Sequence, residues 1–220
     1  STIKQSSDIS TIDLAFRQKL ALEAFQHTAS YDSAISDELH ARWIGRPEQS
    51  GDKDIQTERL PETLLSSANI SHSLRYGENS HQAAALYMDP KAKGKHSTLV
   101  TAIVEGGKDM SYNNYSDADA TLRLCRSLST DEWPETPHAC VIVKHNNPCG
   151  AALASTQLES FQAALASDPE SAFGSIICFN EPLEEDTAEA MGALFIEVLM
   201  APEYNGKSKE IVMRKKNRRI

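Results

Sequence analysis

Lys144 and His145 are adjacent titratable side chains at the end of an apolar run, Cys140-Val141-Ile142-Val143. A lysine near apolar walls can have a lowered pKa, and a histidine titrates near neutrality unaided. Together they can supply a base and a cationic stabiliser, although the dipeptide alone also describes an ordinary solvent-facing pair. The residues that follow, Asn146-Asn147-Pro148-Cys149-Gly150, read as a sharp turn, and the small residues Ala151 to Ala154 as the opening of a helix. A buried strand that carries two such side chains to its carboxyl end is a usual place for an open α/β sheet to hold a ligand.

Four other stretches carry chemically capable groups. Cys149 follows a proline, as in the P-C-x-x-C half of a zinc deaminase site, but residue 152 is Ala and no His-x-Glu precedes it, so no metal site is expected. As a thiol at a helix start Cys149 could be a nucleophile, but no base partner is evident and a small helix-entry residue is the plainer reading. In Leu74 to Gln82, Arg75 suits a phosphate and Gly77 lets backbone approach a ligand; the same residues can form a polar turn held by its own side chains. In Ser111 to Ala120, Ser116 or Asp117 can cap a helix, with Asn113 and Asn114 ahead of it in a loop or against a ligand. In Ser171 to Ser175, Phe173 can stack on a flat heterocycle or plug the core. His27, on a helix with no ligand spacing around it, reads as a structural histidine.

The elements that must position these groups alternate. Ile12 to His40 is helical, with Phe16, Leu20, Ala24, Tyr31, Ile35 and Leu39 on one stripe and Asp8 or Ser10 as its cap. Residues 43–61, with Gly45, Pro47, Gly51 and Pro61 among many charges, read as a linker or surface loop. Beyond it, strands are expected at Thr63–Ser71, Ala83–Met88, Thr98–Val104, Ala139–Val143, Gly174–Phe179 and Val198–Ala201. Helices are expected at Asp117–Leu128, Gln157–Ala166 and Glu184–Ile196, the last with Glu184, Glu185 and Asp186 at its positive end. That alternation predicts an α/β fold with a largely parallel sheet. The basic tail Arg214 to Arg219 reads as a solvated helix end, with no closing element after it.

The 220 residues are 40% apolar and 24% charged with a net charge of −9. This is an ordinary globular composition, and its sign argues against nonspecific binding to nucleic acid or anionic membrane. No run approaches the ~20 apolar residues of a membrane span. The N-terminus has no signal-peptide core. Cys125, Cys140, Cys149 and Cys178 are scattered, as expected for reduced thiols in the cytoplasm.

The motifs gain specificity from their order. Leu-Arg-Tyr-Gly-Glu-Asn-x-His-Gln at 74–82, Gly-Lys-x-x-Ser-Tyr-Asn-Asn at 107–114, Val-Lys-His-x-Asn-Pro-Cys-Gly at 143–150, Asp-Pro-x-Ser-Ala-Phe-Gly at 168–174 and Glu-Val-x-x-Ala-Pro at 197–202 follow one another. This succession closely resembles the bifunctional purine-biosynthesis family, which joins an IMP cyclohydrolase to an AICAR formyltransferase. The segment Ala24 to Asp32 resembles the family's connection between its two domains.

The resemblance implies a helical connecting segment at 1–42, a linker at 43–61, and at 62–220 the first of two cytidine-deaminase-like α/β sandwich halves of the formyltransferase domain. The cyclohydrolase would precede this region and the second half would follow it. It further implies formyl transfer from 10-formyltetrahydrofolate to the 5-amino group of AICAR, with no metal needed, in a cytoplasmic homodimer that binds neither nucleic acid nor membrane. His145 is then the general base and Lys144 its charge-stabilising partner. Arg75 and Tyr76 are implied to bind the nucleotide, Asn114, Gly174 and Glu197 to line its site, and Phe173 to form an aromatic wall. The family usually has Pro where Ser80 stands and Gly where Ser175 stands. The rival expectation is a non-catalytic nucleotide-binding or assembly module that needs a second half.

Overall fold

In a computed structural model of the chain, residues 12–43, 63, 65–90, 98–128, 133–204 and 206–220 are described. The chain divides between Ala68 and Asn69 into two units. The expected caps Asp8 and Ser10, and the 43–61 segment apart from Trp43, lie outside the described residues.

The first unit is described chiefly by one helix, α1 (Leu14–Trp43). Asp13 begins it, its carboxylate accepting from the Phe16 N–H at 3.2 Å, as an N-cap should. The apolar stripe is largely solvent-facing, with Tyr31 63% and Leu20 40% exposed. His27 is exposed too.

The second unit holds a two-stranded hairpin, β1 (Asn69–Leu74) and β2 (Ala84–Met88), and a four-stranded sheet. The sheet comprises β3 (His138–Lys144), β4 (Asn147–Ala154), β5 (Ser175–Phe179) and β6 (Ile196–Met200), in the order β4-β3-β5-β6. Among the described residues four helices accompany it: α2 (Tyr112–Leu128), α3 (Gln157–Ser167), α4 (Glu185–Ala190) and α5 (Gly206–Met213).

Strict alternation along the central strands assigns their two faces. Cys140 and Ile142 of β3 and Ile177 and Phe179 of β5 pack with Phe161 and Ala164 of α3, and with residues of α4 and α5. Val141, Val143 and Cys178 turn the other way, onto Cys125 of α2, and Ile176 and Val198 pack with Ala118 of the same helix. The sheet is therefore covered on both faces. This is why its two central strands are apolar throughout rather than alternating. Each fully buried Ile or Phe contributes roughly 1.5–3 kcal/mol of transfer free energy.

Several sequence-based expectations are corrected. The sheet is mixed, not largely parallel: β3 runs antiparallel to both β4 and β5, and only β5 and β6 are parallel. Ala151–Ala154 is strand, not helix, and Cys149 lies within β4 rather than at a helix start. Pro148 is tolerated because β4 is an edge strand, where a missing N–H need leave no ladder partner unsatisfied. β1 begins at Asn69 rather than Thr63. Thr98–Val104 forms no strand; Thr98 and Thr101 close a turn through the Thr101 hydroxyl.

Two helices also differ in extent. α2 starts five residues early, capped by Ser111, whose Oγ accepts from the Asn114 N–H at 3.2 Å; neither Ser116 nor Asp117 is the cap. α4 has six residues, with Glu184 as its N-cap residue, and a turn at Met191–Ala193 separates it from β6, so Ile196 is strand. The tail is not merely a solvated helix end. Residues 214–217 are exposed, but Arg218 and Ile220 are buried and Arg219 pairs in parallel with Val198 of β6.

Candidate active site

The carboxyl end of β3 meets β4 through a two-residue turn, His145-Asn146, with Lys144 and Asn147 paired across it. Both central residues have positive φ, 52° and 61°. This is the sense of a type I′ turn, whose backbone twist matches that of the flanking strands. The turn is anchored to α2: the Asn146 N–H donates to Asp117 Oδ1 at 2.9 Å, and its side-chain amide lies against Ser116 Oγ. His145 stands on the turn, exposed to solvent.

Because β3 is antiparallel to β5, and β5 parallel to β6, this turn shares one end of the sheet with the starts of β5 and β6. Lys144 uses that proximity. Its Nζ donates to the Phe173 carbonyl at 2.8 Å. Phe173 is 60% exposed, and its ring tilts against Phe195 with centroids 5.2 Å apart. Gly174, at φ 76°, donates its N–H to the Phe195 carbonyl at 2.7 Å. A left-handed φ here favours glycine.

Asp168, just beyond α3, holds the turn that leads to Phe173: its Oδ1 accepts from the Ser171 N–H at 3.0 Å. Hydrogen bonds from Ser171, the side chain first, hold the Asp168 carboxyl below the usual carboxylate range, with a smaller pull from Lys144. Cys149 feels the same two charges. Burial, then the Asp168 carboxylate, pushes its thiol up, against the draw of Lys144.

A second group is adjacent. Asn114 on α2 is buried, and its Nδ2 donates to Glu197 Oε2 at 2.8 Å. Its Oδ1 accepts from the N–H and the hydroxyl of Ser111 at 3.1 and 3.0 Å, so its amide orientation is determined at both ends. Glu197 lies two residues beyond Phe195, at the start of β6.

The structure thus brings Lys144, His145, Phe173, Gly174, Asn114 and Glu197 to one end of one sheet. Arg75 and Tyr76 are elsewhere in the chain's fabric, just past β1, where the Arg75 guanidinium sits 5.4 Å from the Tyr76 ring centroid. Among the described residues no hydrogen bond or ion pair joins either to the other six. Their hairpin does reach the start of α2, through His72 Nε2 and Tyr115 Oη at 2.9 Å. The loop itself is the self-held polar turn of the plainer reading, with Gln82 Oε1 accepting from the Asn79 N–H.

Ser80 lies in this turn, and Ser175 is buried in β5 with its hydroxyl unpartnered. Among the described residues no three His, Cys, Asp or Glu side chains gather as a metal site, and no helix is long and apolar enough to cross a membrane.

Sequence reasoning missed Asp117, Asp168 and Phe195 as parts of this end of the molecule. Asp168 had a signal, since it opens the Asp-Pro-x-Ser-Ala-Phe-Gly motif. The sequence pattern places Phe195 in a helix, which hides its approach to Phe173.

The chain matches the AICARFT/IMPCHase bienzyme family over residues 1–220. It is 40% identical over 221 residues to the bifunctional purine biosynthesis protein PurH of Persephonella marina, covering 100% of this chain and 39% of that protein. It is 40% identical to the PurH of Rhizobium etli, covering 98% of this chain and 36% of the relative, and 38% identical to that of Dinoroseobacter shibae, covering 93% and 35%. The chain therefore spans little more than a third of these relatives' length, and it belongs to the AICARFT/IMPCHase bienzyme family.

Proposed function

We propose that this chain supplies the Lys144–His145 side of an AICAR formyltransferase site in de novo purine biosynthesis. The reaction is AICAR plus 10-formyltetrahydrofolate to formyl-AICAR plus tetrahydrofolate. The observation that carries the reading is the two-residue turn bearing His145, with Lys144 tied at 2.8 Å to the carbonyl of an exposed aromatic residue.

In this reading the 5-amino group of AICAR, a weak nucleophile because it is conjugated to a carboxamide, attacks the formyl carbon. His145 accepts the proton the amine loses. Lys144 stabilises the oxyanion of the tetrahedral intermediate or handles the leaving-group proton, and N10 of the folate departs protonated. The exposed Phe173 ring offers a wall for a flat heterocycle. Asn114, Gly174 and Glu197 line the nucleotide, and Arg75 with Tyr76 binds it from the β1–β2 side, Arg75 toward the phosphate.

The wider assignment is a connecting segment at 1–42, a linker at 43–61 and a cytidine-deaminase-like half-domain at 62–220. It includes a homodimeric, cytoplasmic setting, with IMP cyclohydrolase activity belonging to a separate domain. The two-faced coverage of the sheet supports an α/β sandwich of this kind.

A second reading has its own support. His145 and Phe173 are exposed, and neither lines the cavity bounded by Tyr115, Val198 and Arg219 or the one beside Trp133. A site open in this way suits a module that binds nucleotide or a complementary half without catalysing transfer alone.

Formyl transfer to AICAR, followed by tetrahydrofolate release over a range of protein concentrations, separates the two. Activity that grows faster than linearly, and falls by on the order of 10²–10⁴ in Lys144→Ala and His145→Ala, supports assembly of a complete site. Folded protein that binds AICAR but transfers nothing supports the second reading. Folded protein that transfers nothing and binds neither AICAR nor a complementary half refutes both.

A further inference from the structure

Arg219 is half of a clamp whose other half is the turn before α2. Its Nε donates to the Lys108 carbonyl at 3.0 Å and its Nη2 to the Asp109 carbonyl at 3.1 Å. Nη1 stands 4.0 Å from Glu197 Oε2, the same carboxylate oxygen that accepts from Asn114. The guanidinium side chain is only 13% exposed.

Its backbone is equally committed. The Arg219 N–H donates to the Glu197 carbonyl at 3.0 Å, and the Leu199 N–H donates to the Arg219 carbonyl at 2.9 Å. The clamped turn lies directly on this segment: a Cβ on Gly107, already at φ 84°, would stand 2.5 Å from the Arg218 carbonyl oxygen.

From that turn the chain runs through Met110 to Ser111, which caps α2 and orients Asn114. One planar fork thus touches both routes to the Asn114–Glu197 pair. It fixes Asn114 through the turn and Glu197 through charge and strand pairing. Arginine suits this role because its donors have a fixed geometry that a lysine ammonium lacks. Glu197 is left 40% exposed, and its Oε1 has no hydrogen bond to the described residues.

We infer that Arg219 is a positioning residue that sets the Asn114–Glu197 pair and so presents the free carboxylate oxygen of Glu197 as an acceptor for the bound nucleotide. The inference rests on the proposal that Glu197 lines the nucleotide site.

The test is a double-mutant cycle with AICAR as the titrant, read by calorimetry, with thermal unfolding measured in parallel. Arg219→Met is expected to weaken AICAR binding by on the order of tenfold when Glu197 is present, but by less than about threefold in a Glu197→Gln background. Its cost in Tm is expected to be no larger in the Glu197→Gln background, where the 4.0 Å charge pair is already lost; thermal unfolding serves to show that each variant is folded at the titration temperature. An affinity loss of equal size in both backgrounds, or none in either, overturns the inference. If the methionine variant does not fold, Arg219→Lys takes its place, and full retention of affinity by that variant overturns the inference.

A ligand-free readout separates the two levels of the argument. Loss of Arg219 is expected to shift the Asn114 side-chain amide signals in an NMR spectrum and speed their exchange with solvent, and unchanged signals refute positioning. Wild-type protein that binds no AICAR sinks the functional reading, and positioning then stands or falls on the amide signals.

Discussion

Replacing Gly150 by alanine tests how tightly β4 is laid on α3. An added Cβ would stand 1.9 Å from the Ala164 carbonyl oxygen, 2.7 Å from its carbonyl carbon and 3.2 Å from its Cα. All three are backbone atoms, so no side-chain rotation relieves the overlap. Ordinary contact begins at 3.4 Å, so strand and helix must separate by about 1.5 Å in a close-packed interior.

That separation lifts Ala164 and Phe161, both 1% exposed, off the β3 and β5 residues they cover. Overpacking of a good core costs typically ~1–3 kcal/mol, and a displaced helix belongs at the upper end. At roughly 2–4 °C per kcal/mol for a unit of this size, Tm should fall by about 6–12 °C. Gly206→Ala is the comparison. Gly206 has φ 49° with nothing within 4 Å of an added Cβ, so only the left-handed conformation is at issue, at ~1–2 kcal/mol.

Thermal unfolding followed by circular dichroism reads both variants. A Gly150→Ala protein within 2 °C of wild type, or one more stable than Gly206→Ala, would refute the claim that backbone contact sets this approach. Because α3 ends at Ser167, immediately before Asp168, the displaced helix should also disturb the turn carrying Phe173.

Three further outcomes are expected. Asp168 has a depressed folded pKa, so its contribution to stability is complete above the ordinary carboxylate value of about 3.9 and is lost as pH falls through the lower folded value; the stability gap between wild type and Asp168→Asn, measured by urea unfolding, should close in that window, and a gap constant with pH contradicts the Ser171 interaction. Cys149 should be the first cysteine alkylated by iodoacetamide, since Cys125, Cys140 and Cys178 are buried, with a rate that rises only above the usual thiol pKa; Lys144→Ala should move that rise to higher pH and Asp168→Asn to lower pH, and opposite movements would sink the electrostatic account. Asn146→Val should lower stability by ~1–2 kcal/mol, because a β-branched residue is forced to φ 61° and the Ser116 contact is lost, whereas Asn146→Gly should lose only the contact.

The parts of the fold legible in the sequence are those where one local signal dominates. β3 and β5 are β-branched or aromatic runs buried on both faces, and their expected limits fall within a residue of the observed ones. α3 is bounded by a working Thr156 cap and by Asp168-Pro169. β4 was illegible because Asn-Pro-Cys-Gly-Ala-Ala-Leu-Ala has little strand propensity. It is strand because the preceding turn returns it alongside β3, and because Gly150 lets α3 come close. A turn is legible from Asn146 onward, but not its two-residue hairpin form at 145–146, since His-Asn is not the Asn-Gly pair that ordinarily announces a type I′ hairpin. With β4 unread, β3, α3 and β5 look like a parallel βαβ unit, so missing one hairpin accounts for the expected parallel sheet.

The candidate site followed the opposite rule. Its residues were legible only as an ordered set of motifs, because each of them is locally ambiguous: Lys144-His145 is an ordinary surface pair until antiparallel pairing sets it beside residue 173. What no local pattern could supply was the partnership across sequence distance. Arg219 sits in a run of basic residues that resembles a solvated tail, yet the groups that define it are the Lys108 and Asp109 carbonyls and the Glu197 carboxylate. Among the described residues the neighbouring cations, residues 214–216 and 218, form no ion pair with that carboxylate, and Arg219 stands 4.0 Å from it. Charge density therefore says little about which arginine matters here. A planar side chain that is nearly buried, with fixed donors on two carbonyls, does.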